Sequence, residues 1–96
     1  MFSFLDPEEA RRMMAAGAVV VDVRTKEEWD QGHAANSVLI PLHELAEHLA
    51  ELPQDVPLLL VCRSGARSGQ ATAFLRNQGV DAHNLGPWQR NPEHAG

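Results

Sequence analysis

The chemistry of this chain centres on its single cysteine, which follows the apolar run 58–61. Cys62 opens the segment Cys62-Arg63-Ser64-Gly65-Ala66-Arg67-Ser68, which lies between a predicted strand and a predicted helix. In that arrangement, backbone N–H groups and the positive end of the helix converge on one point. Arginine on both sides of Gly65 adds positive charge, so the surroundings favour the thiolate of Cys62 over the thiol. We therefore interpret Cys62 as a nucleophile.

Gly65 matters to this loop because glycine adopts backbone angles that other residues resist, which lets the amides curl around an anion. Two cations beside such a cradle suit a small, doubly charged substrate. Of the two, Arg67 is the stronger candidate for anion binding, because it falls on the first turn of the helix. A cysteine at a strand end is often just a small buried apolar residue. The combination of strand, turn, arginines and helix favours catalysis instead.

The rest of the chain predicts the elements that position this loop. Predicted strands cover 18–23, 38–40, 58–61 and 80–85, and helices cover 7–16, a short stretch after Thr25, 42–52, and the segment ending at Gly79. This alternation predicts an α/β fold, with a central parallel sheet of about four strands between helix layers. Ligands of such sheets bind beyond the carboxyl ends of the strands, here Val23-Arg24 and Cys62 onward. Residues 86–96 are predicted to form a loosely ordered tail.

Length and composition restrict the possible functions. Ninety-six residues make one domain, which we place at 1–96, with a single modest core. A formal charge of −5 argues against nucleic-acid binding, which needs a clustered basic face. No apolar stretch approaches the ~20 residues of a bilayer-spanning helix. The amino terminus lacks a basic signal region, and a lone cysteine fits a reducing compartment, so we expect a soluble, cytoplasmic protein without a membrane partner.

Several short motifs occur in an order that resembles rhodanese-like domains. They are Asp22-Val23-Arg24, Glu28-Trp29 with Gly32-His33, Ile40-Pro41-Leu42, and the Cys62 to Ser68 loop. The resemblance spans roughly residues 4–85, and it implies a small three-layer rhodanese-like fold.

That resemblance also implies an activity. Cys62 would attack the outer sulfur of thiosulfate or a related anionic donor, and the resulting persulfide would pass its sulfur to cyanide, a thiol or a protein acceptor. No metal or organic cofactor is implied. Residues 63–68 would bind the substrate. Behind them, Asp22 would brace the loop and Arg24 would pair with Glu28.

The chain departs from the family pattern at its end, where a Gly-Gly segment and a final helix are compressed to Gly86-Pro87-Trp88 and a short tail. This shortening leaves one wall of the pocket and the covering of one sheet face open from sequence, and an uncovered apolar face would be a place for self-association.

Two other functions compete with this interpretation. Cysteine-dependent phosphatases and arsenate reductases also place a thiolate in an anion loop, but five residues separate their cysteine from the arginine, whereas four do so here. A non-catalytic or sulfur-relay module serving a protein partner would share most of the same residues. Zinc is not expected, because the histidines show no metal-ligand spacing; they are His33, His43, His48, His83 and His94.

Overall fold

The computed structural model describes residues 3–93 and consists of three α-helices, four β-strands and three 3-10 helices within that range. The strands are β1 (Val19–Asp22), β2 (Ser37–Leu39), β3 (Leu58–Cys62) and β4 (Ala82–Pro87). The α-helices are α1 (Pro7–Ala15), α2 (Lys26–Asp30) and α3 (Ala66–Asn77). The 3-10 helices cover Leu42–Glu44, Ala46–Glu51 and Trp88–Arg90.

The four strands form one sheet in the order β2-β1-β3-β4, and all three pairings are parallel. β3 is central and buried along its whole length, as its continuous apolar sequence predicts. Asp22 is opposite Val61, and Cys62 is opposite Pro87. The ends of three neighbouring strands therefore meet at one edge, where the sequence predicted a ligand site.

Two apolar clusters cover the two faces of the sheet. On one face, Leu58, Leu60 and Cys62 pack with residues of α3 and of the 42–51 segment. On the other face, Val20, Leu59 and Val61 form a cluster that includes Ala10 of α1, against which Met13, Met14 and Trp88 pack. This arrangement confirms the predicted three-layer α/β fold. The sheet face whose covering the shortened carboxyl end left open is covered by α1 and Trp88.

The helix caps explain why α1 and α2 begin where they do. The Asp6 carboxylate accepts the N–H groups of Glu8 and Glu9 and so fixes the start of α1. Thr25 and Glu28 form the predicted capping box of α2. That capping box places the Glu28 side chain beside the end of β1.

The structure differs from the predicted elements in two places. Residues 42–52 form two 3-10 segments rather than one α-helix, with i to i+3 bonds such as Leu45 N–H to the Leu42 carbonyl. Pro41 and Pro53 confine this short segment, while Leu45 and Leu52 bury their side chains against the sheet. The apolar spacing predicted which side chains are buried, but not the type of helix.

The prediction of loose order from residue 86 onward also does not hold for 86–93. Gly86 and Pro87 belong to β4, and a 3-10 turn follows them. Arg90 donates to the carbonyls of Leu85 and Leu5, and Asn91 is fully buried. These contacts anchor a segment whose composition alone suggested a tail. The remainder of that predicted tail, 94–96, lies outside the described residues.

Candidate active site

Cys62 ends β3, and its sulfur lies within a tight turn that leads into α3. The Gly65 N–H donates to Cys62 Sγ at 2.9 Å, and the Ser68 hydroxyl lies 3.4 Å from the same sulfur. Gly65 has φ of +98° and is the N-cap of α3. Because glycine tolerates this left-handed conformation, the chain can turn its amide toward the thiol. The predicted amide cradle is therefore present.

Two opposing effects act on the pKa of the Cys62 thiol. Burial raises it, because a charged sulfur loses its hydration. Hydrogen bonds from the Ser68 hydroxyl and from the backbone amides of Ser68, Gly65 and Ser64 lower it. The hydrogen bonds outweigh burial, so the pKa lies below that of an ordinary cysteine. The surroundings of the sulfur thus shift its ionisation toward the thiolate relative to an ordinary cysteine.

Phe4 packs on the outer side of this loop. A Cβ placed on Gly65 would lie 2.4 Å from Phe4 Cε1, and a Cβ on Gly86 would lie 2.9 Å from Phe4 Cγ. Arg90 also stacks over the Phe4 ring at 5.3 Å. The Phe4 ring therefore leaves no room for a side chain at either glycine, a role that the sequence alone does not predict.

Asn84 of β4 joins the network around the sulfur. Its side chain accepts a hydrogen bond from the Ser68 hydroxyl at 2.7 Å and donates to the Gly65 carbonyl at 3.1 Å. The sequence analysis did not identify this residue. The available sequence signal was a polar residue within a predicted strand. The partners of that residue could not be predicted, because they depend on β4 lying next to β3.

Arg67 binds Glu28 through both ends of its guanidinium group. Nη1 lies 2.7 Å from Glu28 Oε1, and Nη2 lies 2.9 Å from Oε2. This bidentate contact, together with the Thr25 N–H, lowers the pKa of Glu28 to about 2. The hydrogen bond to Glu28 likewise raises the pKa of Arg67. Arg67 is therefore held by a carboxylate rather than pointing freely at an anion site.

The predicted pairing of Arg24 with Glu28 is wrong. The Arg24 guanidinium binds the Asp22 carboxylate through Nε at 2.9 Å and Nη2 at 2.8 Å, and both residues are buried. Arg24 reaches Glu28 only through the backbone carbonyl, at 3.4 Å. Asp22 is the last residue of β1, and its carboxylate also accepts the Arg24 N–H at 3.1 Å, so the two residues pair locally just beyond the strand. The Asp22 carboxylate thus holds Arg24 in place.

A cleft of about 170 Å³ opens beside the loop at the carboxyl edge of the sheet. Its lining side chains come from α2, from the turn after it, from the loop and from the 88–90 turn; they are Arg24, Glu28, Gln31, Gly32, Arg63, Trp88 and Gln89. Arg24 stacks over the Trp88 ring at 4.9 Å. The exposed Arg63 is the loop arginine that faces this cleft.

The remaining loop residues have distinct positions. Ser64 and Ala66 are exposed, and the Ala66 N–H lies 3.4 Å from the Ser64 hydroxyl oxygen. Ser68 is fully buried, and so is Cys62, whose exposure is 0%. The thiol thus sits behind the loop, and a reagent in the cleft meets it only after a local displacement of loop side chains.

Neither a metal site nor a membrane segment is evident in the described part of the chain. Residues 3–93 contain no cluster of three or more His, Cys, Asp or Glu side chains arranged to hold a metal ion. None of the helices in that range is both long and apolar enough to cross a bilayer.

Comparison with protein families gives a match to the rhodanese-like domain over residues 6–86. The chain belongs to this family. The matched range includes every strand of the sheet but for the last residue of β4, and the whole Cys62 loop. The family assignment agrees with the one that the sequence motifs indicated.

Two curated relatives and two solved structures illustrate the similarity. A thiosulfate sulfurtransferase GlpE of Pseudomonas syringae is 37% identical over 81% of this chain and 74% of its own length. A sulfurtransferase of Allochromatium vinosum is 36% identical over 82% and 76%. A rhodanese-related protein of Thermoplasma volcanium superposes with a TM-score of 0.80 at 30% identity, covering 94% and 90%. The human single-domain sulfurtransferase TSTD1 gives 0.75 at 27%, covering 95% of each chain.

Proposed function

We propose that this protein is a rhodanese-type sulfurtransferase that carries sulfur as a persulfide on Cys62. The observation that carries the proposal is the polarised cradle around the sulfur, in which the Gly65 N–H lies 2.9 Å from Sγ. Thiosulfate is the proposed donor, supported by relatives that are named thiosulfate sulfurtransferases. Cyanide, a low-molecular-weight thiol or a protein thiol is the proposed acceptor.

The first half-reaction is a displacement at sulfur. The Cys62 thiolate forms a bond to the outer sulfur of thiosulfate, and the bond between the two thiosulfate sulfurs breaks. The bonding electron pair leaves with sulfite, so one thiolate and one dianion become one persulfide anion and one sulfite dianion. Amide donors that favour a thiolate also suit a persulfide anion in the same turn.

The second half-reaction restores the thiolate. Cyanide attacks the outer sulfur of the persulfide, the sulfur–sulfur bond of the persulfide breaks, and its electron pair returns to Cys62. Thiocyanate leaves, and charge and atoms balance at each stage. As proposed, neither half-reaction uses a metal or an organic cofactor.

The proposed donor site is the cleft in front of the loop. Arg63 and Arg24 supply positive charge to it, and Trp88 forms an apolar wall. Arg24 is neutralised by Asp22, whereas Arg63 is exposed. Arg63 is therefore the better candidate to receive the sulfonate end of thiosulfate, instead of Arg67, which the sequence favoured.

Several broader assignments complete the proposal. The lone cysteine fits a reducing compartment, which supports a cytoplasmic location, and residues 1–96 are proposed to work as one catalytic domain. Asp22 supports Arg24, while Glu28 supports Arg67. A phosphatase function is disfavoured, because the arginine that would bind a phosphoryl group is held by Glu28 instead.

Steady-state kinetics test this function. Thiocyanate formation from thiosulfate and cyanide should give parallel double-reciprocal lines, since sulfite leaves before cyanide reacts and the enzyme alternates between thiolate and persulfide forms. Cys62→Ser should lose this activity, while Arg11→Ala, an exposed change on α1, should retain it. Hydrolysis of aryl phosphates without any thiocyanate formation would contradict the proposal and favour a phosphatase.

A further inference from the structure

The side chain of Asn84 lies behind the reactive loop and contacts two of its residues. Asn84 is 8% exposed and sits on β4, next to the strand that carries Cys62. Its Oδ1 lies 2.7 Å from the Ser68 hydroxyl oxygen, and its Nδ2 lies 3.1 Å from the Gly65 carbonyl oxygen. Ser68 and Gly65 are the same two residues that contact Cys62 Sγ.

The Gly65 carbonyl fixes which way the Asn84 amide points. A carbonyl oxygen only accepts hydrogen bonds, so the NH₂ group of Asn84 must face it. The amide oxygen is then directed at Ser68. Because this oxygen carries no hydrogen, the Ser68 hydroxyl is the donor in the 2.7 Å contact.

The Ser68 hydroxyl has one hydrogen and two acceptors within reach. When Cys62 is a thiol, its S–H can donate to Ser68 Oγ at 3.4 Å, while Ser68 donates to Asn84. When Cys62 is a thiolate, the sulfur can only accept, so Ser68 can stabilise it only by turning its hydrogen away from Asn84. The two protonation states of Cys62 therefore favour opposite orientations of one hydroxyl.

We infer that Asn84 is a positioning residue that competes with Cys62 for the Ser68 hydroxyl hydrogen and so sets the balance between thiol and thiolate. The relevance of this balance to sulfur transfer rests on the proposed function. In the persulfide, the negative charge lies on the outer sulfur, and the inner sulfur is a weak acceptor. The Ser68 hydroxyl then donates its hydrogen bond to Asn84 again, so the same hydroxyl acts in both half-reactions.

Charged groups also lie on the elements around Cys62, and the test leaves them in place. They come from the loop, from α3, from α2 and from the end of β1; they are Arg63, Arg67, Glu28 and the Asp22–Arg24 pair. On β4, His83 pairs with the neighbouring Asp81 at 2.7 Å. None of these residues is altered in the cycle, so the coupling between the two substitutions can be assigned to the Ser68–Asn84 contact.

A double-mutant cycle on Ser68 and Asn84 measures this competition directly. The pKa of Cys62 is read from thiolate ultraviolet absorption in the wild type, Ser68→Ala, Asn84→Leu and the double variant. The chain has one cysteine and no tyrosine, so no tyrosinate or second thiolate contributes. Ser68→Ala should raise the pKa, because the thiolate loses a donor.

The decisive quantity is the difference between the two effects of Asn84→Leu. The change in the Cys62 pKa that Asn84→Leu causes in the wild-type background should be more negative, by about 0.4 unit or more, than the change that it causes in the Ser68→Ala background. Loss of the Gly65 contact occurs in both backgrounds and cancels in the cycle. Equal shifts in both backgrounds, or a relative shift upward, would overturn the inference.

Two further variants complete the experiment, one as a substitute and one as a control. Asn84→Ala removes the amide without adding a bulky apolar group, and it replaces Asn84→Leu if that variant fails to fold. His83→Leu changes the adjacent position on β4, whose side chain points to the opposite face, and it should show no dependence on Ser68.

Sulfur uptake separates this inference from the proposed function. A wild type that takes sulfur from thiosulfate while the cycle shows no coupling overturns the role of Asn84 alone. Coupling in a protein that takes up no sulfur overturns the sulfurtransferase proposal and leaves the Asn84 contact intact.

Discussion

At the scale of single residues, the reactivity of Cys62 depends on the balance between burial and hydrogen bonding. A fully buried thiol without donors would be inert, since burial disfavours the charged form. The Gly65 amide and the Ser68 hydroxyl reverse that effect and lower the pKa. The same sulfur can therefore be shielded from solvent and still ionise more readily than an ordinary cysteine.

Arg63→Ala tests which arginine binds the donor. Because Arg63 lines the cleft and is exposed, its loss should raise the KM for thiosulfate by about fivefold to tenfold, the equivalent of about 1.0–1.4 kcal/mol, as for one ordinary hydrogen bond in contact with solvent. Initial rates over a range of thiosulfate concentrations measure the effect. Arg11→Ala is the control, because it removes an equal charge on α1, remote from the cleft.

The expected effect on an uncharged donor is smaller, since Arg63 acts on the sulfonate charge. A KM for thiosulfate that is unchanged in Arg63→Ala, but raised in Arg67→Ala, would return the role of donor binding to Arg67. In that case, the Glu28–Arg67 pair would have to open during catalysis.

The reactive loop was predictable from sequence because its function depends on local geometry. A strand end, a glycine turn and a helix start are encoded within residues 58–68, so the amide cradle followed directly. Asn84 and Phe4 were not predictable in the same way. Both reach the loop from distant parts of the chain, and their contacts depend on the sheet order β2-β1-β3-β4.

At the scale of secondary-structure elements, the Glu28–Arg67 ion pair ties α2 to the first turn of α3. The two residues are 39 positions apart, and their side chains are 20% and 34% exposed. The pair thereby links the end of β1 to the helix that follows the reactive loop.

Glu28→Gln should destabilise the fold at neutral pH, because it removes the ion pair with Arg67. The cost should be only about 1 kcal/mol, since solvent partly screens the pair. A carboxyl whose pKa falls on folding, here from 4.5 to about 2, stabilises the protein above the higher value. That stabilisation is lost as the pH falls toward 2. The difference between wild type and variant should therefore shrink across this range.

Urea unfolding of both proteins at neutral and acidic pH measures this difference. Glu27→Gln, an exposed neighbour, is the control and should change stability little. A difference for Glu28→Gln that stays constant down to the lowest pH would contradict the role assigned to the ion pair.

Gly65→Ala tests the close packing of the loop against Phe4. Gly65 and Gly79 both have positive φ, +98° and +83°, but a Cβ on Gly79 would meet no atom within 4 Å. The two alanine variants share backbone strain and differ in the clash with Phe4. Gly65→Ala should therefore cost about 1–3 kcal/mol more than Gly79→Ala in the free energy of unfolding.

Adding Phe4→Ala to each glycine variant isolates that clash. The extra cost of Gly65→Ala should fall when the ring is absent, as measured by chemical unfolding of the double variants. An unchanged difference between the Gly65 and Gly79 variants would show that Phe4 does not restrain the loop.

The helix starts at Asp6 and Thr25 were predictable because capping chemistry is local. The element type of 42–52 was not, since apolar spacing at i, i+3 and i+4 suits an α-helix and short 3-10 turns alike. The order of 86–93 depends on Arg90 reaching the Leu5 carbonyl, 85 residues away. Amino-acid composition carries no information on a contact between residues so far apart in the sequence.

At the scale of the whole molecule, the fold places one buried thiol at the carboxyl edge of a covered parallel sheet. Three neighbouring strands end there, and their ends supply Asp22, Cys62 and Pro87. The family and layer architecture followed from motif order and from the alternation of elements. Because Cys62 has no exposed surface, sulfur transfer requires a small opening of the loop or of the side chains around the cleft.

The central claim is that Cys62 accepts one sulfur atom and holds it. Intact-protein mass spectrometry after incubation with thiosulfate, under non-reducing conditions, tests it most directly. The wild type should gain the mass of one sulfur and lose it again when cyanide is added, while Cys62→Ser gains nothing. An unmodified wild type, or the same gain in Cys62→Ser, would contradict the account.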